Sequence, residues 1–245
     1  IAVTRDAAET VKRVTLELGG KSPNLVFADC DLEARVAASV RECMFNTGQS
    51  CDAPTRLLVE RSCYGEALRI AKQTAVSITV GDPTQEGDHI GPLFDKIQYD
   101  RVQAMIKVGL AEGATLLAGG PGRPEGLAKG WFVKPTIFAD VSNDMRIAQE
   151  EIFGPVLVII PFADEAEGIA IANDTPYGLA AYVQTGDPER ALRVAARLRA
   201  GAIHINGGGF NYGSPFGGYK QSGNGREGGI MGLEDYLETK TLHGV

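Results

Sequence analysis

The chain has 245 residues, 44% hydrophobic and 22% charged, proportions that supply one large buried core and exclude a disordered or fibrous chain. Its 31 acidic against 24 basic side chains give a formal net charge of −7, which leaves no electrostatic basis for binding nucleic acid or an anionic membrane surface. No purely apolar run exceeds five residues (Val156 to Ile160), against the roughly 20 a membrane span needs, so small neutral or polar molecules are the expected partners.

The chain opens at Ile1 with helical spacing already under way, so a preceding segment is expected. Val14–Leu18 and Asn24–Phe27 read as strands. Asp31 then caps a helix through about Phe45, with Leu32, Val36, Val40 and Cys43 or Met44 on one face. Arg56–Glu60 is the next strand, and Gly65–Val76 and Asp95–Glu112 are helices, the second stopped by Gly113. A Gly/Pro loop follows at Gly119–Gly130, then an extended stretch, Trp131–Phe138. Val156–Phe162 is a buried strand by its continuous β-branched content, followed by a helix at Asp164–Asn173 and a strand at Leu179–Gln184. Asp187-Pro188-Glu189 combines an N-cap, a proline at the first helical position and a first-turn acid, so Pro188–Arg199 is a helix with Leu192, Ala195 and Leu198 inward. Ala202–Asn206 returns as a strand, and the glycine-rich stretch after residue 200 is mostly turns.

This alternation predicts an α/β fold, a three-layer sandwich around a mostly parallel sheet, with no linker composition between residues 20 and 220. Four cysteines, Cys30, Cys43, Cys51 and Cys63, include no CxxC pair and read as reduced thiols of a cytoplasmic protein.

Two motifs fail their context. Gly223-Asn224-Gly225-Arg226-Glu227-Gly228 matches GxGxxG, but it follows the polar Tyr219-Lys220-Gln221-Ser222 rather than a buried strand, and the chain ends before the acid such a motif needs about 20 residues on. Gly20-Lys21-Ser22 has Thr15 where a phosphate loop requires glycine. His89, His204 and His243 lie far apart and give no basis for a zinc site, so no metal is expected.

What remains is chemical. Cys51 lies in Phe45-Asn46-Thr47-Gly48-Gln49-Ser50-Cys51, a polar turn between a helix and a strand, where a thiol is presented rather than packed; a small buried hydrophobe is the alternative, and Cys30, Cys43 and Cys63 keep that reading. Glu17 precedes Gly19-Gly20. It reads either as a solvent-facing strand residue or, because the glycines let backbone approach closely, as a carboxylate with a raised pKa suited to a general base. Glu150-Glu151-Ile152-Phe153-Gly154-Pro155 enters the Val156 strand as either a solvated acid pair and a core phenylalanine, or a carboxylate for a sugar hydroxyl beside an aromatic for a flat ring.

Four blocks, Glu17-Leu18-Gly19-Gly20-Lys21-Ser22-Pro23, Phe45 to Cys51, Glu151-Ile152-Phe153-Gly154-Pro155 and Pro215-Phe216-Gly217-Gly218-Tyr219-Lys220-Gln221-Ser222-Gly223, resemble the signatures of the NAD(P)-dependent aldehyde dehydrogenase superfamily, in its order and over nearly the whole chain. The resemblance implies that Cys51 is the nucleophile, Glu17 the general base and Glu227 a second acid on a proton path. It implies that Glu151 binds the nicotinamide ribose, with Phe153, Leu18 and Gly19 beside it, and that Phe45, Phe210 and Phe216 line a substrate tunnel. The substrate would be a small-molecule aldehyde, oxidised through a cysteine thiohemiacetal and thioester with NAD or NADP, NAD being favoured. By the same resemblance, the family's N-terminal half, which carries most of the cofactor-binding domain, has no counterpart here, residues 1–19 are the end of that domain, 20–220 are the catalytic domain, and 221–245 a return segment and oligomerisation tail. Asp52 departs from the small or hydroxylic residue usual after the nucleophile, and its carboxylate is expected to raise the thiol pKa.

The tail alternates over Glu234–Thr241 in a manner adequate for an added strand, and the resemblance places it in an intersubunit sheet, so a homo-oligomer, dimer or tetramer, is expected. For these residues in isolation two readings compete with the dehydrogenase: a cofactor-independent thiol esterase or hydrolase, and a non-catalytic oligomerising remnant.

Overall fold

The computed structural model describes residues 1–244. After a short exposed helix α1 (Ala2–Ala8), strand β1 (Leu16–Glu17) stands apart from the main sheet. That sheet contains β2 (Pro23–Val26), β3 (Arg56–Glu60), β4 (Thr115–Ala118), β5 (Thr136–Ala139), β6 (Val156–Phe162), β7 (Ala180–Gln184) and β8 (Ala202–Ile205) in the order β4-β5-β6-β3-β2-β7-β8. All neighbours pair in parallel except β4 with β5, which closes one edge antiparallel. The short β9 (Gly223–Asn224) returns to pair with β1.

Because parallel strands are joined by crossover helices, both faces of such a sheet are covered and its strands are mostly apolar. Helices α2 (Leu32–Met44) and α3 (Tyr64–Ser77) cover one face, where Val36, Val40, Met44, Ile70 and Ala71 pack on Val26, Leu57, Val59 and Ile159. Helices α4 (Lys96–Ala111), α5 (Arg146–Gln149), α6 (Glu165–Asn173) and α7 (Pro188–Ala195) cover the other, where Val102, Ile106, Ile147, Ile169 and Val194 meet Leu25, Leu58, Phe138 and Val158. The three-layer α/β expectation holds. Four helices start on an aspartate whose carboxylate accepts a first-turn N–H: Asp31 from Ala34, Asp95 from Gln98, Asp164 from Glu167 and Asp187 from Glu189. A last helix, α8 (Gly229–Glu234), lies outside the layers. None of the helices among the described residues is long and apolar enough to cross a membrane.

Four details differ from the sequence reading. The Val14–Leu18 strand shrinks to Leu16–Glu17 and pairs with β9, because the chain joins the main sheet only at Pro23. Leu192 is 69% exposed, since α7 ends at Ala195 and buries Ala191 and Val194 instead. The edge strand β4 has no counterpart in the reading; its outer residues are exposed and its register shifts between Leu116 and Ala118, which dilutes the alternation. The tail from Asp235 to Gly244 forms no strand in the single chain: Arg13 Nη2 donates to the Leu237 carbonyl at 2.7 Å, and Tyr236, Leu237 and Leu242 stay exposed. Val245 lies outside the described residues.

Candidate active site

The candidate residues gather at the amino ends of the parallel strands: Glu17 to Ser22 lead into β2, Gln49 to Thr55 into β3, and Glu150 to Pro155 into β6. After α2, three consecutive residues, Asn46 (φ 49°), Thr47 (φ 60°) and Gly48 (φ 69°), take left-handed backbone. The reversal presses the loop against its neighbour, since a Cβ on Gly48 would run into the Gly154 carbonyl. Thr47 Oγ1 donates to the Gly91 carbonyl at 3.0 Å, and Gln49 Oε1 accepts the Phe94 N–H at 3.0 Å. The loop that presents Cys51 is therefore clamped on both sides.

Cys51 Sγ lies 3.8 Å from Glu17 Oε2, within hydrogen-bond reach for sulfur, while Glu17 Oε1 is buried with no protein partner among the described residues. Burial first and the nearby Glu227 second push Glu17 up to about 7, against the opposing hydrogen bond from Cys51. Burial, then Asp52, then Glu17 push the Cys51 thiol up to about 11. The effect expected of Asp52 is thus present, and the resting pair is a neutral thiol donating to a carboxylate. The other thiols are raised as well, Cys30 and Cys63 to about 11 and Cys43 to about 12, chiefly by burial. Proton affinity does not single out Cys51; its carboxylate acceptor does.

The double glycine has the close-approach role expected of it. A Cβ on Gly19 would collide with the Glu151 carboxylate, and one on Gly20 with the Cys51 carbonyl. The Gly20 N–H donates to Glu151 Oε1 at 3.1 Å, which leaves Oε2 for a ligand hydroxyl. Phe153 sits beside it at φ 58°, a left-handed conformation that costs a bulky residue about 1–3 kcal/mol and is held by Gln98 Nε2, which donates to both the Ile152 and Phe153 carbonyls at 2.8 Å.

Glu227 is exposed, and its backbone exchanges two 2.7 Å hydrogen bonds with Phe216. Phe216, Glu17, Arg226 and Glu227 together line a small cleft of about 30 Å³. Phe210 packs edge-on against Phe216 at 5.8 Å. Phe45 is not in this cleft; 73% exposed, it borders a separate open cavity of about 690 Å³ with Arg41 and His89. Leu18 is 45% exposed beside Gly19.

Sequence reasoning missed two kinds of residue. Arg56 and Lys21 are buried cations beneath the site: Arg56 donates to the Lys21, Ile171 and Ala172 carbonyls and to Asn143 Oδ1 at 2.8–3.0 Å. Burial pulls Lys21 down to about 7, and its Nζ has no hydrogen-bond partner among the described residues. The available signal was a cation at the mouth of each of two largely apolar strands. Tyr182, whose hydroxyl donates to the Asp52 carbonyl at 3.1 Å, carried no signal beyond its place in a strand.

Comparison with known proteins places nearly the whole chain in one family. A model of the "Aldehyde dehydrogenase family" matches residues 1–242. A 3-succinoylsemialdehyde-pyridine dehydrogenase of a Pseudomonas species is 54% identical over 242 residues, covering 99% of this chain and 51% of the relative. Among solved structures, a cysteine-to-alanine variant of aldehyde dehydrogenase C from Pseudomonas syringae, in complex with NAD+ and octanal, matches with a TM-score of 0.96 and 52% identity over 98% of this chain and 49% of that one. An aldehyde dehydrogenase of Mycobacterium tuberculosis in complex with NAD+ matches with a TM-score of 0.93 and 48% identity over 96% of this chain and 48% of that one. The chain spans about half the length of the relatives it matches, and from end to end of that match it belongs to the aldehyde dehydrogenase family.

Proposed function

We propose that these residues form the catalytic part of an NAD-dependent aldehyde dehydrogenase, a reading carried by one observation: Cys51 Sγ meets Glu17 Oε2 at 3.8 Å while Glu17 Oε1 stays unpartnered. Cys51 attacks the aldehyde carbon as its proton passes to Glu17, and Glu227 is the next carboxylate toward solvent for that proton. Glu17, raised to about 7, later takes a proton from the water that hydrolyses the Cys51 thioester. Glu151 Oε2, Phe153, Leu18 and Gly19 would hold a nicotinamide riboside, the carboxylate oxygen not bonded to Gly20 serving the ribose and the aromatic the ring. Bound there, a nicotinamide would supply the hydride acceptor for oxidation of the Cys51 adduct. NAD is favoured by the NAD+ complexes of similar structures. Phe210 and Phe216 supply aromatic surface for the substrate, in keeping with the octanal and the pyridine semialdehyde of the relatives' names, whereas Phe45 borders the separate open cavity.

In this reading residues 1–19 end a cofactor domain, 20–220 are catalytic, and 221–245 return to the site and assemble the protein. Four unpaired thiols accord with a cytoplasmic setting. The exposed Tyr236, Leu237 and Leu242 support a homo-oligomer; light scattering at micromolar concentration should give at least twice the 26.0 kDa chain mass, and a monomer would refute it.

A second activity needs only the Cys51–Glu17 pair: ester hydrolysis without cofactor. The 245 residues by themselves should hydrolyse p-nitrophenyl acetate, and iodoacetamide should label Cys51 before Cys30, Cys43 or Cys63. They should reduce NAD only slowly, because the GxGxxG stretch follows a short 3₁₀ turn, Lys220–Ser222, and itself begins in the two-residue β9 rather than after a buried strand, so it is no seat for a pyrophosphate. Equal labelling of all four thiols would remove the reason for choosing Cys51.

A further inference from the structure

The loop that carries Phe210 leaves β8 through Asn206 and three successive glycines, Gly207 to Gly209. Glycine has the most backbone freedom to lose, so such a run cannot by itself fix where the next side chain lies. Asn206 is tied down by Arg35, which donates to its carbonyl at 2.6 Å, and by a two-way exchange with Thr185. Past it, the Gly208 N–H donates to the Ile205 carbonyl at 2.9 Å, and among the described residues one side chain hydrogen-bonds to the glycines: His204 Nδ1 lies 2.8 Å from the Gly208 carbonyl. A carbonyl only accepts, so Nδ1 carries the proton. The imidazole stacks on Tyr182 at 4.7 Å and 18° between planes, and the Tyr182 hydroxyl donates to the carbonyl of Asp52, the residue after Cys51.

These contacts close a ring. From Cys51 it runs to Glu17, across the small cleft to Phe216, edge-on to Phe210, back along the loop to Gly208, and through His204 and Tyr182 to Asp52. We propose that His204 is a positioning residue that holds the Phe210–Phe216 aromatic pair at a set distance from the nucleophile, and so confers a preference for substrates with an aromatic or bulky apolar group next to the reacting carbon. The proposal rests on Cys51 being the nucleophile. It adds that the aromatic wall is registered to Cys51 from the β7–β8 side of the sheet, His204 completing what the loop's own Gly208-to-Ile205 turn begins.

The test compares alkylation of Cys51 by iodoacetamide and by 2-iodoacetanilide, its phenyl analogue, read residue by residue by mass spectrometry on the folded chain, with glutathione as the free-thiol reference. The native protein should show a phenyl-to-amide rate ratio above that of glutathione. His204→Leu, which keeps bulk against Tyr182 but donates nothing to Gly208, should lower that ratio about three- to tenfold, the scale of one lost aromatic contact. His204→Asn, which can again donate to the carbonyl, should recover most of it. Tyr182→Phe keeps the stack and loses only the link to Asp52, and it should also lower the ratio. A native ratio no greater than that of glutathione, or a His204→Leu protein with native near-UV circular dichroism and an unchanged ratio, would overturn the proposal. Cys51 reacting no faster than Cys30 or Cys63 would instead strike at the nucleophile reading, and the two failures are separable in one data set.

Discussion

Glu17→Gln should slow hydrolysis of the acylated Cys51 by about 10²–10⁴-fold, the usual contribution of a positioned general base, while the first acylation by p-nitrophenyl acetate still occurs. The glutamine keeps an acceptor for the Cys51 S–H but can take a proton neither from the thiol nor from water, so acylation is left to the minor thiolate and slows as well. With deacylation slowed further still, the assay should show a slowed release of one equivalent of p-nitrophenolate followed by a nearly flat steady state. The pH dependence follows from the same residue. A base acts when deprotonated, and the folded carboxyl titrates near 7, so native deacylation should rise with pH from 6 to 8 and then level off. That inflection should vanish in Glu17→Gln. Deacylation at the native rate in the variant would hand the role to another group, Glu227 being the nearest alternative acid.

Arg56→Met is expected to have the largest effect on stability. The guanidinium is fully buried, and its donors satisfy the Lys21 carbonyl, Asn143 Oδ1 and the Ile171 and Ala172 carbonyls at the end of α6. Removing one member of a buried charged network leaves the others desolvated and unpaired, at about 3–5 kcal/mol. For a chain of this length that is a fall in Tm of roughly 6–20 °C. Arg56→Lys should recover part of the loss, since one ammonium can serve some but not all of these acceptors. Denaturant unfolding that moves by less than about 1 kcal/mol in Arg56→Met would show that water had taken over the acceptors.

The network also marks a limit of reading the chain as text. An arginine opening a largely apolar strand looks solvent-facing, and three of its four acceptors lie 87 to 116 residues further along the sequence, the fourth, the Lys21 carbonyl, lying 35 residues before it. Local signals were legible where the physics is local. Aspartates capping helices, the Asn-Thr-Gly reversal before Cys51 and the apolar run of β6 all take the structures their side chains favour nearby. The Glu17 strand was overextended because Val14 to Leu18 has strand composition, whereas its pairing partner, Gly223-Asn224, is too short to hold it. The tail alternates like a strand but finds no neighbour within its own chain. Alternation reports that a segment can pair, not with what. The Cys51–Glu17 contact was legible only as two separate residues, each with an ordinary alternative, until the double glycine was seen to bring one loop against another.

Placing the site at the amino ends of parallel strands has a further consequence. The connection that delivers Cys51 emerges from the carboxyl end of α2, where unpaired carbonyls give the helix its negative pole. Thiols that ionise readily are often stationed at the opposite pole. Here burial, Asp52 and Glu17 all favour the proton, and with the thiol pushed up to about 11 the thiolate is a small minority at neutral pH. Peroxide attacks the thiolate, so the same placement that makes Cys51 depend on Glu17 for activation also shelters its sulfur from oxidation between encounters with substrate.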